Sequence, residues 1–188
     1  MKIAILGWGS LIWQPRDLPI EGTFQAGGPT LPIEFCRISS SARLTLVIDE
    51  WHGVPVRAYV AKSEKTDLHS AMEDLRIREG MPTAKRVGFI DNKNGKRCDL
   101  AQDAHPNAVV EIDNWLEQSP YDIAIWTALG TNFSQRGKGK EVFSVAAAVL
   151  YLERLSESDR AIALEYIRKA PAEVITPVRD AVNARWPI

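Results

Sequence analysis

The segment from Ile3 to Trp13 constrains this chain most, because an apolar run ends there in a Gly-Trp-Gly-Ser turn close to the N-terminus. The run predicts a short buried strand, and the turn predicts a loop delivered by that strand. Glycine lets a ligand approach main-chain N–H groups closely, and the Ser10 hydroxyl can donate to an oxyanion or a carboxylate. The segment therefore predicts an anion-binding loop, and a tight turn without a ligand is the plain alternative.

The loop does not fit two familiar nucleotide-binding patterns. A dinucleotide fingerprint needs a third glycine where this chain has Ile12, and Pro15 prevents the long helix that would hold a pyrophosphate. No Gly-Lys-Ser/Thr follows, so a P-loop is also disfavoured. The sequence around Ser10 is Gly-Trp-Gly-Ser-Leu instead of Gly-x-Ser-x-Gly, which disfavours triad hydrolysis.

Composition narrows the class of protein and its compartment. A chain of 188 residues, 45% hydrophobic, can form one domain with a substantial core. Its net charge of −1 predicts no nucleic-acid partner, and its longest apolar run, 142–152, is shorter than the ~20 residues that a membrane span needs. Two cysteines without a spacing pattern favour a reducing, cytoplasmic location. The three histidines lack ligand spacing, so we expect no metal site.

Strand signals dominate the first half of the chain and helix signals its last quarter. A helix is predicted from about 66 to 78, with Thr66 as its N-cap and Gly80 as its stop. Residues 94–120 are typical of an irregular excursion that contains a short helix near 109–116. The predicted strands are 2–6, 32–39, 43–49, 55–62, 86–91 and 123–129, and the predicted C-terminal helices are 140–155, 157–169 and 172–184.

These elements predict an α+β fold. Residues 1–135 are expected to form one domain, a mixed or antiparallel, barrel-like sheet with a crossing helix. Residues 136–188 are expected to form a helical extension packed on the same domain. An apolar helical extension fits both a homodimer interface and a cap over the pocket.

Glu79 stands out through its spacing. Leu68, Met72, Leu75 and Glu79 occupy one face of the predicted helix, so a carboxylate continues an apolar stripe. Burial and the negative end of the helix dipole should both raise the pKa of Glu79, as a general acid/base requires. The alternative is that Glu79 leaves this face and pairs with Arg76 or Arg78 at the surface.

The glycine loop and the end of the predicted helix resemble two motifs of the γ-glutamylcyclotransferase-like superfamily and follow the same order along the chain. The resemblance is greatest to the ChaC-type branch, which acts on glutathione. The segment 7–13 resembles the Tyr-Gly-Ser-Leu loop of that family, and Leu75-Arg-Ile-Arg-Glu79 resembles its Leu-x-x-Arg-Glu segment. Residues 35–39, 42–48 and 54–60 resemble successive barrel strands. Trp8 replaces the usual tyrosine, and residues 81–85 replace the Gly-Gly-Tyr that follows the glutamate in ChaC-type enzymes.

The resemblance implies that Glu79 is the catalytic acid/base and that the loop binds a γ-glutamyl substrate through its backbone. The loop residues are Gly7, Trp8, Gly9, Ser10 and Leu11. In such enzymes the α-amine of the substrate attacks its own γ-carbonyl and releases 5-oxoproline and a free amine, with no cofactor. Two other functions stay open: a non-catalytic module that binds a small carboxylate or a protein, and a γ-glutamyl amide hydrolase or amidotransferase.

Overall fold

A computed structural model describes residues 1–136 and 141–187 and has an α+β architecture. Residues 137–140 and 188 lie outside this description. The predicted helix 140–155 and the predicted extension 136–188 are therefore compared with the structure only over their other residues. The strands are β1 (Ile3–Gly7), β2 (Ile20–Ile38), β3 (Leu44–Ile48), β4 (Val54–Ser63), β5 (Val87–Asp91), β6 (Lys96–Arg97) and β7 (Ile123–Thr127). The helices are α1 (Leu68–Glu79), α2 (Asp99–Ala104), α3 (Pro106–Glu117), α4 (Phe133–Arg136), α5 (Val145–Glu153), α6 (Glu157–Lys169) and α7 (Pro177–Arg185).

The strands form a mixed sheet in the order β3-β2-β4-β1-β7-β5-β6. Strand β1 is antiparallel to β4 and parallel to β7, and β5 is antiparallel to β7. The α+β class and the mixed sheet predicted from the sequence are confirmed. The barrel-like closure is not, because the sheet is open, with β3 and β6 at its edges.

The chain divides into two compact units, and β2 and β4 each contribute residues to both. The first unit comprises residues 1–31 and 57–129. Its core gathers apolar side chains from β1, β4, β5, β7 and α1, among them Ile5, Leu75 and Ile125, and all three are nearly inaccessible to solvent. Burial of these side chains is the main stabilising term for the unit. Helix α1 is thereby fixed against β7 and β5, and β7 is the parallel neighbour of the strand that delivers the glycine loop.

The second unit comprises residues 32–56 and 130–188 and contains the helices α4 to α7. Helix α6 packs against β3, and α5, α6 and α7 pack against one another. Glu34 is fully buried in this unit and accepts hydrogen bonds from the backbone N–H groups of Phe35 and Val178, so it holds the start of α7. Its burial raises the pKa of this carboxyl.

Several element boundaries differ from the sequence prediction for identifiable reasons. Asp67, and not Thr66, caps α1, because its carboxylate accepts the backbone N–H of Ser70 at 2.9 Å. Pro177 begins the last helix, where its missing N–H costs nothing, so that helix spans 177–185 and not 172–184. The helix 157–169 was predicted with the observed bounds. Within the described residues, no helix combines the length and apolarity needed to cross a membrane.

Candidate functional site

The glycine loop follows β1 directly and folds back on itself in a tight turn. The backbone N–H of Ile12 donates to the carbonyl of Gly9 at 3.0 Å, and that of Gln14 donates to the carbonyl of Ser10 at 2.9 Å. Leu11 is 5% exposed and belongs to the core of the first unit. The loop is therefore anchored through Leu11, while Gly9 and Ser10 remain partly accessible.

Close packing explains the glycine at the end of β1. A Cβ atom at Gly7 would lie 3.2 Å from Phe24 Cε1 and 3.3 Å from Leu11 Cβ, which is tighter than ordinary packing. The backbone φ of Gly7 is not in the left-handed region, so space and not backbone conformation restricts this position. Trp8, the next residue, is 4% exposed and lies in the interior.

The loop offers three consecutive backbone N–H groups. Within residues 1–136 and 141–187, the N–H groups of Gly9, Ser10 and Leu11 have no protein acceptor. Backbone N–H groups left without a partner are donors available to a bound oxyanion or carboxylate. The loop thus has the donors that the sequence predicted for it.

Glu79 is the last residue of α1, on the helix face that the sequence predicted. Ala71 and Leu75 are buried on this helix, and Leu68 and Met72 pack against the core. Gly80 ends the helix in the left-handed conformation, with φ 64°, and its N–H donates back to the carbonyl of Ile77. This cap holds Glu79 at the last position of the helix.

The environment of Glu79 favours its protonated form. Its side chain is 22% exposed. Burial raises the pKa of Glu79 above its ordinary value, and the nearby Arg78 and Arg16 oppose this shift without cancelling it. A carboxyl with a raised pKa can both accept and return a proton near neutral pH.

Arg78 connects Glu79 to the loop. One guanidinium nitrogen, Nη1, lies 2.8 Å from Glu79 Oε1, and the other, Nη2, donates to the carbonyl of Gln14 at 2.7 Å and to Ser10 Oγ at 3.2 Å. The Arg78 side chain is only 7% exposed. Glu79 does pair with Arg78, as the plain alternative expected, but the pair is largely buried instead of lying on the surface.

The structure places Arg78 between Glu79 and Ser10, in contact with both. The other residues predicted for the site, Gly7, Trp8, Gly9 and Leu11, adjoin Ser10 along the chain. Sequence reasoning assigned no role in the site to Arg78 or Arg16. For Arg78 the sequence held one signal, namely its position directly before Glu79, the carboxylate that continues the apolar stripe. Among the described residues, no group of three or more histidine, cysteine, aspartate or glutamate side chains is arranged to hold a metal ion.

A search of family models, curated proteins and solved structures found no match to this chain.

Proposed function

We propose that this protein is a γ-glutamylcyclotransferase-type enzyme on a γ-glutamylcyclotransferase-like fold. It would release 5-oxoproline and a free amine from a γ-glutamyl amide, amino acid or peptide. The observation that carries the proposal is the junction at Arg78, which ties the Glu79 carboxyl to the loop whose three N–H groups have no acceptor among the described residues. The two motifs of the sequence resemblance, the loop and the Leu-x-x-Arg-Glu segment, meet at this junction.

The proposed reaction needs little equipment because the substrate carries its own nucleophile. The α-nitrogen attacks the γ-carbonyl carbon, a C–N bond closes the five-membered lactam, and the bond to the leaving nitrogen breaks. A well-oriented intramolecular attack has an effective molarity of ~10⁵ M or more, so correct positioning supplies much of the acceleration.

Glu79 is the proton carrier in this scheme. Its carboxylate takes one proton from the α-ammonium group and returns it to the leaving nitrogen, so the side chain ends in its starting state. The second proton lost by the α-nitrogen protonates the released amine in water. General acid/base catalysis of this kind contributes typically 10²–10⁴-fold, which is about the loss expected when Glu79 cannot exchange a proton.

The loop would hold the charged part of the substrate. The N–H groups of Gly9, Ser10 and Leu11 suit the α-carboxylate or the oxyanion that develops on the γ-carbonyl. Ser10 Oγ accepts a bond from Arg78, so its own hydrogen is directed away from Arg78 and remains a donor.

The test is mass-spectrometric detection of 5-oxoproline from glutathione, γ-glutamyl amino acids and γ-glutamyl amines. The wild-type protein is compared with Glu79→Gln and with a matched control, Glu73→Gln. Glu73 lies on the same helix, and its 40% exposed side chain pairs with Arg76 instead of joining the loop. Turnover by the wild type and the control, with a loss of about 10²-fold or more in Glu79→Gln, supports the proposal.

Three results would contradict the proposal in different ways. Equal turnover by Glu79→Gln removes the assigned acid/base. Release of glutamate, or formation of a new amide, indicates hydrolysis or γ-glutamyl transfer instead of cyclisation. No product from a panel that an active γ-glutamylcyclotransferase consumes favours the non-catalytic binding module.

A further inference from the structure

The Arg78 guanidinium has the Glu79 carboxyl at one end and the glycine loop at the other. Its Nη1 lies 2.8 Å from Glu79 Oε1, and its Nη2 lies 3.2 Å from Ser10 Oγ. The side chain of Arg78 is 7% exposed and that of Glu79 is 22% exposed, so water screens charges at this junction only weakly. A charge that binds beside Ser10 therefore changes the electrostatic potential at Glu79.

The loop end of the junction offers donors to an anion. The backbone N–H groups of Gly9, Ser10 and Leu11 have no acceptor among the described residues, and Gly9 and Ser10 are partly accessible. Consecutive backbone N–H groups of this kind bind the oxygen atoms of anions. A carboxylate on this loop would lie beside Ser10, with only the Arg78 guanidinium between it and Glu79.

Only two charged side chains act on Glu79 in the absence of a ligand. Burial has the largest effect and raises the pKa of this carboxyl, whereas the guanidinium groups of Arg78 and Arg16 lower it. Asp17 and Asp74 lie beside these arginines but do not shift the pKa of Glu79. With Glu79 ionised, the two guanidinium groups and the carboxylate together carry a charge of about +1, and with Glu79 protonated about +2.

The elements packed on α1 add no further charge that acts on Glu79. The short helical turn Ala84–Arg86 carries the exposed Lys85 and Arg86, β5 carries the buried Asp91, and β7 has no ionisable side chain. None of these groups shifts the pKa of Glu79. The proton on Glu79 is therefore controlled by burial, by the two arginines and by whatever binds to the loop.

We infer that the loop binds simple monocarboxylates, which carry no ammonium group, and that Glu79 takes up a proton as they bind. An ionised Glu79 and a bound carboxylate repel each other across the Arg78 guanidinium, and protonation of Glu79 removes this repulsion. By linkage, the bound anion makes Glu79 hold its proton more tightly.

The sign of the pH dependence follows from this linkage. The pKa of Glu79 is higher in the complex than in the free protein, because the bound carboxylate disfavours a second negative charge. Affinity for the anion therefore falls as pH rises from the pKa of Glu79 in the free protein to its pKa in the complex. Below and above this window the affinity is constant.

The inference deepens the proposed function and rests on it in one respect, the identity of the natural monocarboxylate. The proposed product, 5-oxoproline, is a monocarboxylate whose ring nitrogen is an uncharged lactam N–H. A γ-glutamyl substrate instead brings an ammonium group to Glu79, and this positive charge offsets the repulsion. Product should thus be retained with a proton at low pH and released as pH rises, so that pH regulates product inhibition.

The first test measures binding of 5-oxoproline to the full chain without any turnover. Calorimetric titrations run from about pH 5 to pH 8, where the ligand carboxylate stays ionised, in pairs of buffers that differ in ionisation enthalpy. Affinity should fall about tenfold or more as pH rises, the effect of one nearby like charge, and binding should take up protons. NMR signals of the amides of residues 9–11 should shift. The uncharged 5-oxoprolinamide should bind more weakly and without proton uptake.

Glu79→Gln is the most informative variant, because glutamine keeps the shape of the protonated acid and is uncharged at every pH. At the high-pH end it should bind 5-oxoproline about tenfold or more tightly than the wild type does, with no proton uptake. Loss of a merely structural side chain would weaken binding instead. The control, Glu73→Gln, removes an acid of the same helix that pairs with Arg76, and it should follow the wild-type profile.

The inference is overturned if 5-oxoproline shifts no loop signals, if its affinity is the same at every pH, or if Glu79→Gln binds it at high pH no more tightly than the wild type does. Proton uptake by the wild-type protein is a test that needs no variant, and its absence also overturns the inference. Kinetics separate this failure from failure of the proposed function. If 5-oxoproline binds with proton uptake but no γ-glutamyl compound is cyclised, the proposed function fails and the inference stands. Turnover with product inhibition that does not change with pH overturns the inference alone.

Discussion

Arg78 donates a hydrogen bond to the hydroxyl of Ser10 over 3.2 Å, although the two residues are 68 positions apart in the sequence. The same guanidinium lies 2.8 Å from the carboxylate of Glu79 and donates to the carbonyl of Gln14. A planar guanidinium with several fixed donors suits this arrangement, whereas a lysine ammonium would not span it in the same geometry. The Arg78 side chain therefore links the end of α1 directly to the glycine loop.

Replacing Arg78 should alter the titration of Glu79 as well as its position. Arg78→Gln removes the main charge that lowers the pKa of Glu79, so this pKa should rise further. The acid limb of the pH–rate profile should move to higher pH, and kcat should fall because the loop loses its tie to the helix. Arg78→Lys keeps the charge and should restore the titration better than it restores kcat. The measurement is the pH dependence of kcat, together with NMR titration of the Glu79 carboxyl.

Arg57→Gln is the control for this experiment, since Arg57 is an exposed arginine whose removal should leave both the profile and the titration unchanged. A Glu79 titration that is the same in Arg78→Gln and in the wild type would show that Arg78 does not act on the acid electrostatically.

The helix face that carries Glu79 was predictable from the sequence. Apolar residues at three- and four-residue intervals place Leu75 in the core and Glu79 beside it, and this pattern survives folding because burial of the stripe is what fixes α1. The loop residues were predictable for a similar reason, since an apolar strand followed by glycines is a local signal. The open sheet edges were not, because strand order depends on contacts between distant residues.

The first half of β2 was missed because its sequence contains the usual strand breakers. Gly22 and Gly27 both have positive φ, and Pro29 follows within the same strand. A Cβ at Gly28 would lie 2.8 Å from the carbonyl oxygen of Ala58, so glycine is required there for close approach to β4. The glycines and the proline of this segment favour a loop, but its pairing with a neighbouring strand makes it part of β2. The direction of the Arg78 side chain was hidden for the same reason, since its partners in the loop lie more than sixty residues away.

Stability should depend on pH differently at Glu79 and at Glu73, two of the acids of α1. Burial raises the pKa of Glu79 in the folded state above its value in the unfolded chain. The folded protein therefore binds this proton more tightly, and its free energy of unfolding falls as pH rises from about 4.5 through the raised folded pKa. Glu79→Gln removes this loss, so the variant should gain stability relative to the wild type over that range. Urea unfolding at several pH values measures the difference.

Glu73→Gln should give the opposite trend on the same helix. The hydrogen bonds from Arg76 lower the pKa of Glu73, so its contribution to stability is present above its unfolded pKa and is lost as pH falls through its folded pKa. This variant should lose stability relative to the wild type as pH rises, by a small amount because the pair is exposed. The same sign of change in both variants would contradict the assigned burial of Glu79.

The cap at Gly80 should stabilise the end of α1 that carries Glu79. Gly80 has φ 64°, where a side chain with a Cβ is strained, so Gly80→Ala should cost about 1 kcal/mol in the free energy of unfolding. Gly80→Asn should cost less, because asparagine tolerates the left-handed region. Thermal unfolding of both variants tests this order, and an alanine variant as stable as the wild type would exclude a role for the cap.

Close packing around Gly7 joins the glycine loop to the core, and a double substitution can test this packing. In Gly7→Ala the new methyl group would press on Phe24 and on Leu11, which should cost about 1–3 kcal/mol in the free energy of unfolding. Phe24→Leu removes the ring whose Cε1 lies 3.2 Å from the place that this methyl would take, so it should recover part of the loss when combined with Gly7→Ala. The four proteins of the double-mutant cycle are compared by urea unfolding. Strictly additive losses would mean that the methyl group and the ring do not meet, and that another contact restricts Gly7.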